Sequence, residues 1–152
     1  MAEITAQTAD SQAFIPLMRE LLNAYHVFAS YDADSHRLSG SGLTVAQANV
    51  IFTLGNTEGM TCKDIGDWTY ITKGTLTGVI DRLENKGLVE RWAVEGDGRK
   101  TIVALTRKGE RLFEKEYPRH ISYLKDRFDG LNAADRKQAT KLLHTVSGLF
   151  ED

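Results

Sequence analysis

Residues 72–87 read Thr-Lys-Gly-Thr-Leu-Thr-Gly-Val-Ile-Asp-Arg-Leu-Glu-Asn-Lys-Gly, and this stretch decides the fold. Thr72 suits a helix N-cap, and Gly87 suits the left-handed position just past a helix end. The apolar residues in between recur at the three- and four-residue spacing of one helix face: Leu76, Val79, Ile80 and Leu83. The outer face of this predicted helix then carries Gly74, Thr75, Thr77, Gly78, Asp81, Arg82 and Asn85.

The composition of that outer face is unusual for a helix. Gly74 and Gly78 each cost a helix about 1 kcal/mol relative to alanine, and neither is needed to fill a core. The stretch alone leaves two interpretations open. Either this is a tolerant surface helix, or another molecule approaches its backbone closely. A DNA groove fits the second interpretation, because short hydroxyl side chains lie beside cations.

Composition bounds the class of protein. The chain has 152 residues, 41% of them hydrophobic and 26% charged, as in an ordinary globular domain. It contains no apolar run long enough to span a membrane, and its N-terminus does not resemble a secretory signal. The single cysteine, Cys62, rules out an internal disulfide. We therefore expect a cytoplasmic protein with no membrane partner.

The distribution of charge matters more than its sum. A net charge of −2 by itself argues against a nucleic-acid partner. Residues 61–111, however, carry ten Lys and Arg against eight Asp and Glu, and they form the only basic third of the chain. The mild bias coincides with the helix described above.

The elements before residue 72 follow the order of a helix-turn-helix. A long helix is predicted over residues 11–37. Thr44 and Gln47 look like a capping box that opens a short helix, and residues 61–64 open another. The second short helix connects almost directly to Thr72, so two short elements precede the amphipathic helix.

The elements after residue 87 predict a wing. Residues 88–94 and 101–105 read as strands, and Asp97-Gly98 in the connection is a hairpin signal. The tip of this hairpin should carry Arg99 and Lys100. Trp68 and Trp92 are expected to pack around the winged core.

Two helices complete the chain and suggest a dimer. Thr106 should cap a helix through residue 128, which Pro118 should kink or split. A last helix opens at residues 132–135. The terminal helices have more apolar surface than one small winged domain covers, which predicts that two chains interlock. The alternative is that these helices fold back on their own chain. The predicted fold class is mainly α with a small β wing.

The residues also resemble a family. The pattern Asp97-x-Arg99-x-x-x-x-x-Leu105-Thr106 is similar to the wing of MarR-type transcriptional regulators, and residues 72–89 resemble their recognition helix and exit strand. The order of elements agrees over nearly the whole chain. We therefore expect a single domain over residues 1–152, with a DNA-binding part at 43–106 and dimerisation helices at 11–38 and 107–152. The Gly-Thr-Leu-Thr run is most similar to organic-hydroperoxide-sensing members, whose first helix carries a reactive cysteine; the first helix here has none.

The resemblance implies a homodimer in which each recognition helix enters a major groove and each wing reaches a minor groove. The N-terminal residues of such a helix meet base edges, and an arginine suits a narrow minor groove. Arg82 is better placed for a phosphate, and Asp97 is expected to orient the Arg99 guanidinium. The predicted DNA-binding set is Lys73, Gly74, Thr75, Thr77, Gly78, Arg82, Asp97, Arg99 and Lys100.

The resemblance also implies an effector crevice. Aromatic residues on the long helices resemble its walls, and they predict a small aromatic or phenolic ligand. Their spacing suits core packing equally well. The predicted effector set is Tyr25, His26, Phe28, Phe113 and Tyr117.

Other chemistry finds little support. The four histidines lack close metal-ligand spacing and there is one cysteine, so neither a metal nor a cofactor is predicted. Cys62 lies in the first turn of a predicted helix, where a redox role competes with that of a small buried residue. Phosphate-binding, nucleotide-binding, hydrolase and metalloprotease motifs are all missing from the sequence, which argues against an enzyme.

These observations predict a sequence-specific DNA-binding transcriptional regulator. We expect a ligand-responsive repressor that acts as a homodimer on a palindromic operator. The alternatives are an activator with the same fold, a thiol-responsive sensor through Cys62, and a winged-helix module that binds proteins only.

Overall fold

The computed structural model describes residues 3–151. The chain divides into two compact units, Met1–Gly42 and Leu43–Asp152. Six helices and a small three-stranded antiparallel sheet in the described part confirm the predicted fold class. None of the helices formed by residues 3–151 is long and apolar enough to cross a membrane.

The first unit is built on one long helix. A short 3-10 turn at Ala9–Ser11 precedes α1, which runs over Ile15–Ser39. Pro16 lies in the first turn of α1, where its missing N–H costs nothing. The helix stops at Gly40, whose φ of 66° is left-handed. The predicted helix is thus present but begins and ends later than expected.

The second unit contains the predicted helix-turn-helix and wing. Its elements in order are α2 (Val45–Leu54), β1 (Met60–Thr61), α3 (Cys62–Thr69), α4 (Lys73–Asn85), β2 (Val89–Val94), β3 (Asp97–Leu105), α5 (Arg107–Phe128) and α6 (Ala133–Ser147). The sheet order is β1-β3-β2 with antiparallel pairing. The strand β1 was not predicted, because two residues are too short to show a pattern.

Side-chain caps explain where most of these helices begin. The Thr44 hydroxyl accepts from the Gln47 N–H at 3.2 Å, and the Gln47 side chain accepts from the Thr44 N–H at 3.2 Å, which confirms the capping box. Thr106 likewise accepts from the Gly109 N–H at 3.1 Å. Thr72 is the N-cap of α4 but does not cap it through its side chain, because its hydroxyl donates to the Thr75 hydroxyl at 3.2 Å instead.

The core of the second unit lies between α2, α3, α4 and the sheet. The predicted inner face of α4 is buried: Leu76, Val79, Ile80 and Leu83 are at most 4% exposed. They pack with Val50, Ile51, Leu54, Ile65, Leu88, Val89, Val103 and Phe113. Burial of each such side chain contributes about 1.5–3 kcal/mol. The core therefore fixes which side of α4 faces outward.

The hairpin differs from the prediction. Val94 pairs with Asp97, so the turn consists of Glu95 and Gly96, and Gly96 takes a φ of 83°. The next pair is Ala93 with Thr101, which leaves residues 98–100 as a bulge in β3. Gly96, not Gly98, supplies the left-handed residue that a tight hairpin requires. Arg99 and Lys100 therefore lie in this bulge beside the tip and not on the tip itself.

Pro118 lies inside α5, which runs unbroken over Arg107–Phe128, so the expectation of a split is wrong and the expectation of a kink stays a prediction. Trp68 and Trp92 are 73% and 45% exposed, so the expectation that they pack around the winged core is wrong. The buried positions of the core are filled by aliphatic side chains and Phe113.

Candidate nucleic-acid interface

The two glycines on the outer face of α4 are not required by the interior. Apart from the chain neighbours and the nearby backbone of the helix itself, no heavy atom of the described residues lies within 4 Å of a Cβ built on Gly74, and the nearest to one on Gly78 is Arg82 Nη1 at 3.9 Å. Other glycines of the same unit are required. A Cβ on Gly109 would lie 2.1 Å from the Leu88 carbonyl oxygen, for example. Gly74 and Gly78 therefore leave the helix backbone open toward solvent.

Short hydroxyl side chains flank these glycines. Thr75 and Thr77 are both exposed. The Thr77 hydroxyl donates to the Lys73 carbonyl at 3.2 Å, and the Thr75 hydroxyl accepts from Thr72. A hydroxyl oxygen that donates one hydrogen bond still has lone pairs for an incoming donor. The outer face thus offers small polar groups around exposed backbone.

Three cations on α4 and the wing are not neutralised internally. Lys73, Arg82 and Arg99 are exposed, and within residues 3–151 their side chains make no ion pair or hydrogen bond. Lys63 on α3 is different, because its ammonium lies 2.8 Å from Asp67 and this hydrogen bond raises the pKa of Lys63. The unpaired charges are available to an anionic partner such as DNA phosphate.

The wing holds Arg99 by its backbone. An Asp97 carboxylate oxygen accepts from the Arg99 N–H at 3.2 Å, and the Lys100 ammonium lies 4.0 Å from the same carboxylate. The expectation that Asp97 orients the Arg99 guanidinium is therefore wrong for the free protein. Asp97 shapes the bulge, which leaves the guanidinium free to extend.

Arg91 on β2 was missed by the sequence reasoning. Its guanidinium donates to both Glu84 carboxylate oxygens, at 3.2 and 3.0 Å, and to Asp81 at 2.6 Å. The hydrogen bond with Glu84, followed by that with Asp81, raises the pKa of Arg91. A possible signal was the spacing of two carboxylates at i and i+3 on α4, followed by a cation on the next strand.

The C-terminal end of α4 is also fixed to the start of α5. The Thr106 hydroxyl donates to the Gly87 carbonyl at 2.6 Å, and the Lys108 ammonium donates to the Lys86 carbonyl at 2.8 Å. Gly87 has a φ of 70°, the left-handed value that the sequence predicted. These bonds satisfy carbonyls at the helix end and hold α4 at a fixed angle to α5.

A groove of about 760 Å³ separates α3 from α4. Lys73 and Thr77 line one side, and Cys62 and Lys63 line the other. Cys62 is exposed, so the interpretation of it as a buried helix residue is wrong. No other described residue is a cysteine, since the sequence has only one.

The predicted effector residues fall in both units. In the first unit, Tyr25 and Phe28 are 72% and 44% exposed, and His26 is exposed as well. In the second unit, Phe113 is buried and stacks on Tyr117, with ring centroids 5.0 Å apart. Core packing is therefore confirmed for Phe113, and the role of the set in ligand binding stays a prediction.

A helix-turn-helix followed by a wing, with unpaired cations on both, defines the class of DNA-binding transcriptional regulators. Residues 41–100 match the pattern of the MarR family. The chain is 32% identical over 106 residues to the organic hydroperoxide resistance transcriptional regulator of Bacillus subtilis, which covers 68% of this chain and 69% of that protein. The chain belongs to the MarR family of DNA-binding transcriptional regulators. Its relatives are regulators and not enzymes.

Solved structures agree with this assignment. BpsR of Bordetella bronchiseptica, whose DNA binding is regulated by 6-hydroxynicotinic acid, is 27% identical with a TM-score of 0.74, over 96% of this chain and 98% of that one. Sco3205 of Streptomyces coelicolor, solved in complex with DNA, is 18% identical with a TM-score of 0.80, over 99% and 95%. The second likeness shows a shared fold.

Proposed function

We propose that this MarR-family regulator is a homodimeric repressor that binds a palindromic operator and is released by a small aromatic ligand. The observation that carries the proposal is the outer face of α4. Gly74 and Gly78 leave its backbone uncovered without any packing reason, and Lys73 and Arg82 lie beside it without internal partners.

Base recognition is assigned to the N-terminal half of α4. The recognition helix of a helix-turn-helix places its N-terminal residues against base edges in the major groove. Lys73, Thr75 and Thr77 are the first, third and fifth residues of α4. The missing side chains at Gly74 and Gly78 allow the backbone to approach, and Arg82 lies further along the helix for a phosphate.

The wing supplies a second proposed DNA contact. Arg99 extends from the bulge in β3 with its guanidinium unpaired within the described part of the chain. An arginine in this position suits the strong negative potential of a narrow minor groove. Lys100 lies near the Asp97 carboxylate and adds charge to the same bulge.

Exposed apolar side chains support the proposed homodimer. In the first unit Phe14, Leu17 and Leu22 are 55–60% exposed along α1. In the second unit four apolar residues near the C-terminus are 56–79% exposed: Leu142, Leu143, Leu149 and Phe150. Exposed apolar surface of this extent is typical of an interface. A second copy would bury it and place two recognition helices about one DNA turn, ~34 Å, apart.

A structural neighbour and the aromatic residues of the long helices support the proposed effector. BpsR responds to a hydroxylated aromatic acid, and the predicted effector set of this chain is rich in aromatic side chains. We therefore expect 6-hydroxynicotinic acid or a related phenol to raise the melting temperature and to weaken operator binding. The cytoplasmic location stays a prediction.

The proposal is tested on the DNA upstream of its own gene. Footprinting should show protection of two symmetric half-sites, and sedimentation of the free protein should show a dimer at micromolar concentration. A promoter fusion separates repression from activation, since deletion of the regulator should raise expression. A monomer that protects no site would overturn the proposal, and lower expression on deletion would favour the activator.

A further inference from the structure

We propose that Arg91 is a positioning residue that masks two carboxylates of the recognition helix, so that its outer face can approach DNA. The inference rests on the proposed DNA contact of α4. It concerns a residue on the strand after the recognition helix, whose effect is transmitted through Asp81 and Glu84.

Asp81 is the reason a mask is needed. It lies on the outer face of α4, three residues after Gly78 and four after Thr77, and therefore one helical turn beyond them on the same side. Its side chain is 48% exposed. Phosphates within about 10 Å of an uncompensated carboxylate repel it at ordinary salt concentrations. A bare Asp81 would oppose the approach that Gly74 and Gly78 allow.

Arg91 is held where it can neutralise this charge. It lies on β2 opposite Val103 of β3, and Val103 is fully buried, so the backbone of Arg91 is fixed. Its side chain is 30% exposed, less than that of Asp81 or Glu84. The guanidinium donates two parallel hydrogen bonds to the Glu84 carboxylate and one hydrogen bond to Asp81. Such paired geometry is the strong form of an arginine–carboxylate contact.

The arrangement distinguishes Arg91 from the cations proposed to touch DNA. Arg82 and Arg99 have no acidic partner within residues 3–151, whereas Arg91 is shared by two. Without Arg91, the cluster on α4 would carry two negative charges instead of one. Its role is therefore to lower repulsion, and a direct phosphate contact is not required.

The test compares removal of the cation with removal of the whole cluster. Arg91→Met should weaken operator binding about tenfold at low salt, and the difference should shrink as salt rises, because the repulsion is screened. The triple variant Arg91→Met/Asp81→Asn/Glu84→Gln should bind within about threefold of wild type. Arg91→Lys, which keeps the charge, should also bind nearly as wild type. Arg37→Met changes the net charge equally at an exposed pair on α1 and should have no effect.

Thermal melts of each variant confirm that the proteins compared are folded, and Arg91→Gln takes the place of Arg91→Met if Arg91→Met does not fold. A triple variant as weak as Arg91→Met would overturn the inference, since Arg91 would then act by direct contact or by holding the wing. Equal binding by Arg91→Met and wild type would overturn it as well. If the wild-type protein binds no DNA, the proposed function fails together with this inference. If the wild-type protein binds DNA and Arg99→Ala does not, the proposed function stands, and the Arg91 variants test this inference alone.

Discussion

Gly78→Ala should make the protein more stable and its DNA binding weaker. Gly78 is the sixth residue of the thirteen in α4, so it lies in the helix interior. The added methyl group meets only the Arg82 guanidinium, at an ordinary 3.9 Å, among the described residues. The helix propensity of alanine then stabilises the fold by about 1 kcal/mol. For a chain of this length, that change raises the melting temperature by about 3 °C.

The loss of affinity follows from the same methyl group. A methyl between α4 and the groove displaces the helix by more than a hydrogen bond tolerates, because donors and acceptors beyond about 3.5 Å are no longer bonded. Each specific base contact is worth about 1–3 kcal/mol. Loss of one contact therefore weakens binding by roughly 5- to 150-fold.

The two quantities are measured on the same protein. Fluorescence anisotropy with an operator duplex gives the affinity, and thermal unfolding gives the stability. Gly148→Ala is a matched control, since Gly148 lies at the end of α6 and a Cβ there makes only ordinary contacts, at 3.7 Å. Gly78→Ala with raised melting temperature and unchanged affinity would refute the close approach of α4 to DNA.

Three further predictions address other parts of the molecule. Arg99→Ala should weaken operator binding and lower the salt slope by about 1, as anisotropy at several salt concentrations would show; an unchanged slope would remove Arg99 from the phosphates. Gly109→Ala should destabilise the fold by about 1–3 kcal/mol, measured by urea unfolding, because its Cβ would overlap the Leu88 carbonyl; a neutral effect would contradict the close approach of α5 to Leu88, the residue before β2. Tyr70→Gly should stabilise by about 0.5–1 kcal/mol, since Tyr70 is 92% exposed in a left-handed conformation with φ 57°; a lower melting temperature would show that its side chain packs.

Local signals were sufficient for the central elements. The spacing of Leu76, Val79, Ile80 and Leu83 fixed the buried face of α4, and these residues are buried. Thr44 with Gln47, and Thr106, marked helix starts through short-range hydrogen bonds that depend only on neighbours in sequence. The outer face followed from the inner one by geometry. The same reasoning therefore reached the candidate DNA-binding surface.

Contacts between distant residues were not accessible in this way. Arg91 meets Asp81 ten residues away only because β2 folds against α4. The hairpin turn falls at Glu95 and Gly96 because the strand register, not the local Asp-Gly pair, decides which glycine turns the chain. Exposure of Trp68 depends on the aliphatic residues that already fill the core. Each miss is therefore a tertiary effect acting on an ambiguous local pattern.

The two-residue strand β1 has a mechanical consequence. Met60 and Thr61 pair with Val103 and Ile102 of the wing, and Thr61 also caps α3 by accepting from the Asp64 N–H. The wing is thereby anchored at the first turn of α3, and Arg91 on β2 holds the wing to α4, so within one subunit the proposed recognition helix and the wing keep a fixed separation. In the proposed dimer, an effector can therefore change only the distance between the DNA-binding parts of the two subunits. Release from the operator would then follow from a changed distance between the two recognition helices, while the structure of each winged helix-turn-helix stays the same.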